Sequence, residues 1–444
     1  MKTFRIGGIH PSENKFSAGK RIEIANLPKQ VAIPLAHYIG APAEAVVAKG
    51  DMVKTGQLIG KAKGFISANV HASVSGKVNK IDVHLDATGY KRESVFIDVD
   101  GDEWLESIDR SKDLIRECNY SKEEILNKIA ASGIVGLGGA TFPAHVKLSP
   151  PPGKKANVLI VNAVECESYL TCDHQLMLEK GEEIMVGITI LMKALEVKRA
   201  IVGIENNKKD AISLFQQLSK SYSGIEIIGL KVQYPQGGEK QLIDAAIGRQ
   251  VPSGALPIEV GAVVHNVGTV YAVYEAVQKN KPLFERIITI TGKSATNPGN
   301  FLVRLGTMLS EVVTQAGGIP DDTGKIVGGG PMMGRSLMTL DVPMAKGSAG
   351  VLFIQNTESL RKKMQNCIRC GKCVTVCPMG LEPYLLMNMG EKEMWTEMEI
   401  NRTMDCIECG SCSYTCPSNR PQLDYIRYGK TAVGAIIRNR NAKK

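Results

Sequence analysis

Eight cysteines in two matched runs constrain this chain more than any other feature. CIRCGKCVTVCP begins at Cys367 and CIECGSCSYTCP begins at Cys406, and each reads C-x2-C-x2-C-x3-C-P. Zinc takes only four sulfurs per ion and would leave the C-x2-C-x2-C triplet without a purpose. A disulfide framework fits poorly too. Cys118, Cys166 and Cys172 make the total of 11 odd, and the opening MKTFRIGGIHPSENK has no apolar signal core. Three closely spaced thiolates can surround an iron-sulfur cube, and a fourth cysteine followed by proline reaches the other cube. The expected ligand sets are therefore Cys367, Cys370, Cys373 and Cys416 for one [4Fe-4S] cluster, and Cys406, Cys409, Cys412 and Cys377 for the second. Two such clusters store and pass single electrons. The rest of the chain should contain whatever supplies or accepts them.

The paired runs have the pattern of a bacterial two-cluster ferredoxin, so residues 357–444 are expected to form a ferredoxin-like helical domain with a basic C-terminal tail. At 444 residues, the chain has room for about three domains of roughly 150 residues, or more if some are small. Glycine is abundant at 45 residues, which favours loops that approach a ligand through backbone. Net charge is +9, suited to phosphates, acidic partners or an anionic surface. No Lys/Arg block is interleaved with aromatics, so no nucleic-acid partner is expected. No stretch reads as a transmembrane helix, which needs about 20 apolar residues. Ile184–Val197 is too short and carries Lys193, and Gly261–Val277 is interrupted by His265 and Asn266. The thiols and these absences imply a soluble or peripheral protein of the reducing cytoplasm.

Residues 1–105 read as a loop-rich lead-in followed by short strands with glycine turns, as in VVAKGDMVKTGQLIGKAKGF. This passage resembles the barrel-sandwich fold of lipoyl and biotinyl carriers. Lys61 and Lys63 lie near the hairpin without the flanking residues of the modification motif, so it reads as a scaffold. Residues 106–284 open with a charged stretch, 109–131, expected to be helical, with Ser121 and Glu124 forming a capping box. Strands at 157–163, 199–205 and 225–232 then alternate with helices Glu182–Leu195 and Lys208–Ser219, and a further helix spans Asn266–Gln278. That alternation predicts a parallel, Rossmann-like α/β sheet. Residues 285–356 read as a compact β-grasp-like module, in which VGGGPMMG is a hairpin turn. Thr357–Gln365 is expected to be a charged helix leading into the cysteines. The closing LDYIRYGKTAVGAIIRNRNAKK is a helix whose basic end suits solvent, a partner or anionic lipid equally. The fold class is thus multidomain, α/β plus β.

Three segments of the α/β region carry chemistry. In Gly136-Leu-Gly-Gly-Ala-Thr-Phe-Pro143, Gly136, Gly138 and Gly139 let backbone N–H groups approach a phosphate that Lys147 could neutralise. In Asn162-Ala-Val-Glu-Cys-Glu167, Glu165 and Glu167 follow the end of a strand, where ligands of open α/β sheets bind. Pro235-Gln-Gly-Gly-Glu-Lys240 places Gly238 and Glu239 at a helix start, an anion site by backbone geometry. His265-Asn-Val-Gly-Thr269 follows.

Together, in this order, the segments resemble the NADH- and FMN-binding flavoprotein subunit of respiratory complex I. That family reads G-x-G-G-x-x-F-P with a downstream lysine, N-x-D-E-x-E, a G-E-E helix start, and N-N-V-E-T. The resemblance implies FMN contacts from Gly136, Gly138, Gly139, Lys147, Asn162, Glu165 and Asn266, and NAD(H) near Phe142, Glu167, Gly238 and Glu239. Val164, Lys240, His265 and Gly268 depart from the pattern. The β-grasp module looks like the soluble-ligand-binding (SLBB) domain that follows in that subunit. The full order, with the barrel before and the paired cysteines after, resembles the RnfC family of the Rnf ion-translocating electron transport complexes. That resemblance implies one component of a ferredoxin:NAD+ oxidoreductase, with FMN and two [4Fe-4S] clusters bound to it. It also implies membrane partner subunits, one of them ferredoxin-like and cluster-bearing, coupling to Na+ or H+ movement, and a peripheral position on the cytoplasmic face of the inner membrane. Two alternatives are a corrinoid reductase of bacterial microcompartments, which shares this domain order, and a non-catalytic iron-sulfur electron conduit with clusters but without flavin.

Overall fold

The structure, a computed structural model, describes residues 1–442. Its centre is a four-stranded parallel sheet, ordered Ile225–Leu230, Ala200–Glu205, Val158–Ala163, Ala262–Asn266. The strand VLIVNA is buried at five of six positions, as expected of a sheet covered on both faces. Helix Gly181–Leu195 is apolar nearly all round and buried along most of its length. From Val158–Ala163 the chain goes first to one side of the sheet and later, at Ala262–Asn266, to the other. The order therefore switches between these two strands, the point at which open α/β sheets bind ligands in a crevice beyond the carboxyl ends. Asn162 and Asn266 face each other in register at that point.

The barrel-sandwich module contributes two antiparallel sheets, ordered Gln30–Pro34, Lys91–Val99, Gly76–Leu85, Met52–Val53, and Glu44–Ala45, Leu58–Lys61, Val70–His71. Its apolar residues run without a break into the core of the α/β region, from Val31 and Ile97 to Ile129 and Leu159. The β-grasp region has a separate core around Phe301, Val313 and Phe353. The cysteine-bearing region has another, around Leu386, Met398 and Ile426.

Three elements differ from their sequence expectation. Residues 109–120 are not helical; the helix starts at Lys122, where Ser121 and Glu124 form the full capping box. The preceding stretch instead lies extended along helix Val267–Gln278, whose Gln278 amide donates to the carbonyls of Ile115 and Glu117. The helix expected at 357–365 is a single turn, Asn356–Ser359, and no regular element follows until Lys372–Thr375. The lead-in also contributes a strand, Ile22–Ile24, to the edge of the β-grasp sheet beside Gly299–Arg304. The hairpin at VGGGPMMG is present, joining Thr323–Gly328 to Arg335–Ser336.

Candidate functional site

The crevice is built on glycine positions and helix starts. Gly138, Gly139 and Ala140 are exposed, and a side chain on Gly139 would meet nothing within 4 Å. Gly139 has φ +131°, a conformation that favours glycine. A Cβ on Gly138 would come within 3.0 Å of the Asn266 Cβ, so this loop lies against the start of helix Val267–Gln278. The Leu137 N–H donates to Thr269 Oγ1 at 2.8 Å, fixing the loop there. Asn266 caps the helix by accepting from the Gly268 N–H, and its amide donates to Asp173 Oδ2 at 2.7 Å. Phe142 closes the loop by accepting from the Gly136 N–H.

Lys147 and Glu239 form an ion pair at 2.5 Å, linking the glycine loop's helix to the start of helix Glu239–Ile247. Gly238 caps that helix, and a Cβ there would collide with the Gln241 side chain at 2.5 Å. The Asn162 amide donates to the Gly237 carbonyl at 2.8 Å, and the Gly237 N–H points at Cys166 Sγ. His265 is buried beneath, with Nε2 unpartnered; burial, and secondarily the Lys147 charge, push its pKa down to about 3.

Glu165 sits at φ +48°, and its carboxylate accepts from the Asp173 and His174 N–H groups. It thereby satisfies two unpaired donors at the start of helix Cys172–Glu179. Two lysines, half-buried Lys15 and buried Lys208, hold the loop behind it. Lys15 donates to the carbonyls of Glu165, Glu167 and Leu170, and Lys208 to that of Val164. Burial, then the neighbouring Glu165, push the Asp173 carboxyl up to about 7. Glu167 points elsewhere: its carboxylate accepts from the Met332 and Met333 N–H groups of the β-grasp hairpin. Burial raises it to about 7 against the effect of those two bonds.

Of the positions that depart from the complex I pattern, Val164 is fully buried behind Gly237. Lys240 turns away to the Pro252 carbonyl. A Cβ on Gly268 would crowd the Asn266 Oδ1 at 3.1 Å, with Asp173 beside it. Asp173 and Tyr234 were not singled out by sequence reasoning. Asp173 carried one signal, an acid in the first turn of a helix; Tyr234 carried none.

The two cysteine runs interlock. Cys377 of the first run lines one small cavity with Cys406, Cys409 and Cys412 of the second, among Leu381, Leu386, Leu423 and Ile426. Cys377, Cys409 and Cys412 are buried, and burial pushes the Cys406 thiol up to about 11. Such a pocket disfavours bare thiolates. The other four lie differently. Cys367 and Cys370 are exposed, Cys373 is buried, and Cys416 is half-buried. The Gln365 N–H donates to the Ser418 carbonyl, bringing the approach to Cys367 beside the exit from Cys416. Among the described residues, no three His, Cys, Asp or Glu converge as on a single metal ion.

The cavity of Cys377, Cys406, Cys409 and Cys412 abuts the crevice. Tyr234, three residues before Gly237, is buried against Cys409 and Cys166, and its hydroxyl donates to the Cys409 carbonyl at 2.8 Å. Gln241 donates to the Pro378 carbonyl, next to Cys377. A cleft of about 880 Å3 in the barrel module, lined by Lys54, Ser75, Asp100 and Glu103, contains none of the predicted site residues.

Comparison with known proteins follows the same order along the chain. Residues 2–102 match the RnfC barrel sandwich hybrid domain and 129–275 the Nuo51 FMN-binding domain. Residues 287–336 match the SLBB domain and 359–417 the 4Fe-4S dicluster domain. The C-subunit of the proton-translocating ferredoxin:NAD(+) oxidoreductase complex of Clostridium ljungdahlii is 46% identical, over 100% of this chain and 96% of that protein. The chain belongs to the RnfC family of ion-translocating oxidoreductase complexes. Another member, the C-subunit of the Na(+)-translocating ferredoxin:NAD(+) oxidoreductase complex of Acetobacterium woodii, is 42% identical over 99% of both chains. The fold is also similar to that of an NAD+-reducing [NiFe]-hydrogenase in the H2-reduced state. That likeness has a TM-score of 0.50 and 18% identity, covering 71% of this chain and 61% of that one. Membership brings the crevice and the cysteine runs into one assignment: an FMN-binding domain joined to a 4Fe-4S dicluster domain.

Proposed function

We propose that this chain exchanges electrons between NAD(H), FMN and two [4Fe-4S] clusters, as a peripheral subunit of a membrane complex that couples ferredoxin oxidation to Na+ or H+ movement. The observation that carries this is the shared wall between the crevice and the cavity of Cys377, Cys406, Cys409 and Cys412, made by Tyr234.

The residues present fit a phosphate-bearing flavin. The open backbone at Gly138 and Gly139 and the start of helix Val267–Gln278 offer N–H donors to a phosphate, while Gly136, its N–H given to the Phe142 carbonyl, shapes the loop. Lys147 supplies positive charge, shared in this state with Glu239. Asn162 and Asn266 stand side by side at the switch point to orient the ring system, and Glu165 keeps the loop between them rigid. Phe142, Gly238 and Glu239 border the open side and are assigned to the nicotinamide nucleotide. Glu167, engaged by the β-grasp hairpin, is assigned to joining the modules. Cys377 serves the second run and Cys416 the first, so that each cluster takes one ligand across. Held at these places, FMN would supply the exchange between the electron pair of a hydride and single electrons, and the clusters held by the two cysteine sets would supply one-electron carriage. The protein's own part is positioning: no side chain has to donate or accept a proton for hydride to move.

Among the described residues, no helix is long and apolar enough to cross a membrane. Attachment on the cytoplasmic face would then be through partner subunits, one of them ferredoxin-like. The test is anoxic reconstitution with iron and FMN, followed by NADH. Bleaching of the flavin absorbance is expected. No bleaching, with both cofactors shown to be bound, overturns the NAD(H) assignment.

A further inference from the structure

The barrel module reaches the glycine loop of the crevice with two loops of its own. The hairpin between Leu58–Lys61 and Val70–His71 carries Gly64, Phe65 and Ile66, and the segment after Gln30–Pro34 carries Ile39, Gly40 and Ala41. The two are pressed together. The Ala41 N–H donates to the Ile66 carbonyl at 2.9 Å, and a Cβ on Gly40 would stand 2.2 Å from that same oxygen. Both are also tied to the α/β region. The Ile39 N–H donates to the carbonyl of Thr141, next to Phe142, at 3.2 Å. His145 Nε2 donates to the Phe65 carbonyl at 3.2 Å, and the two rings meet edge to face with centroids 6.2 Å apart. His145 shares the short helix Ala144–Lys147 with Lys147, the partner of Glu239.

On this tied corner Phe65 is 64% exposed, Ile39 50% and Ile66 44%. A single exposed apolar side chain is ordinary. Three on adjoining loops, fixed by hydrogen bonds and followed by the open backbone of Gly138, Gly139 and Ala140, make a surface that fits a ligand. Lys61 and Lys63 stand exposed on the same hairpin, and Lys63 is only loosely paired with Glu44, at 3.8 Å. An aromatic ring with cations beside it suits a base and its phosphates. We propose that this corner of the barrel module is the platform for the adenosine half of the dinucleotide, with Phe65 stacking on the adenine. The nicotinamide half is assigned to Phe142, Gly238 and Glu239, which the glycine loop and helix Ala144–Lys147 connect to Phe65. The barrel thereby takes a share in substrate binding, while no bond is made or broken at this corner. The inference rests on the NAD(H) reading of the crevice.

Two fragments of the dinucleotide separate its halves: ADP-ribose, which lacks the nicotinamide, and reduced nicotinamide mononucleotide, which lacks the adenosine. In the reconstituted holoprotein, Phe65→Ala should weaken ADP-ribose binding, read by calorimetry, by roughly tenfold, the loss of one base stack. It should raise the KM for NADH by a similar factor with kcat unchanged, and Phe65→Trp should restore both. The KM for reduced nicotinamide mononucleotide should stay the same. Met338→Ala, which trims a 91% exposed side chain of the β-grasp region, should alter none of these. Unchanged ADP-ribose binding in Phe65→Ala overturns the proposal. So does an equal rise in KM for both reduced nucleotides, which would mean that Phe65 only shapes the glycine loop. Self-association of the parent that Phe65→Ala abolishes, with ADP-ribose binding kept, also overturns it and makes the corner a contact between copies of the chain. No flavin bleaching by NADH in the parent, together with weakened ADP-ribose binding in Phe65→Ala, would sink the hydride reading and still support the platform.

Discussion

The two groups of four cysteines come from the same C-x2-C-x2-C-x3-C-P pattern, yet they sit in opposite surroundings. The group of Cys377, Cys406, Cys409 and Cys412 is enclosed by leucine and isoleucine and bonded through Cys409 to Tyr234 of the α/β region. The group of Cys367, Cys370, Cys373 and Cys416 opens to solvent through two exposed cysteines on an exposed basic segment. Spacing decides which residues can ligate; packing decides what each cluster can reach. The enclosed group fits an internal relay beside the flavin crevice, and the open one a port.

The largest expected contrast is in access. An anoxic ferrous chelator should remove about half of the iron roughly tenfold faster than the rest, because an apolar shell limits solvent entry. A single uniform rate would break the distinction.

The packing around the enclosed group should also respond to pH through Glu167. Its carboxyl is raised to about 7 from an ordinary 4.5, chiefly by burial, so the folded state holds the proton more tightly than the unfolded chain does. The stabilisation from this proton is complete below about 4.5 and is lost as pH rises through about 7. Glu167→Gln should therefore flatten the stability profile between these values, by on the order of 2 kcal/mol relative to the parent. Denaturant titrations at several pH values read this directly, and parallel profiles for parent and variant would contradict it.

A smaller effect is expected from Tyr234→Phe. It removes one hydrogen bond, worth about 1 kcal/mol, from the wall of the enclosed group only. The electron paramagnetic resonance signal of the enclosed cluster should change while that of the exposed cluster stays the same. A change confined to the exposed cluster would place Tyr234 wrongly.

Much of this contrast was legible in the sequence and its more consequential half was not. The cysteine spacing, the glycine loop and the strand-helix alternation are local signals, set by backbone geometry within a few residues. Ser121 and Glu124 marked a helix start correctly for that reason. The same local reasoning overextended the helix to 109–120, where Ile115 and Glu117 spend their carbonyls on Gln278, more than 160 residues away. It also prolonged the turn at Asn356–Ser359 into a helix that the chain does not form. Glu167 shows the limit most clearly. Its place after a strand pointed to a ligand and the complex I resemblance to NAD(H), but its carboxylate accepts from Met332 and Met333, in a hairpin that a reading of local pattern cannot bring near. Tyr234 was invisible because its role depends on Cys409, which lies 175 residues downstream.

The central claim is that one cysteine crosses from each run, giving an enclosed cluster and an exposed one. The paired variants Cys377→Ala and Cys416→Ala test it most directly, by iron content and chelator kinetics on anoxically reconstituted protein. Each should keep about four irons per chain. In Cys377→Ala the remaining iron should be the fast, chelator-sensitive half, and in Cys416→Ala the slow, protected half. The reverse assignment, with Cys377→Ala sparing the protected iron, would contradict the account.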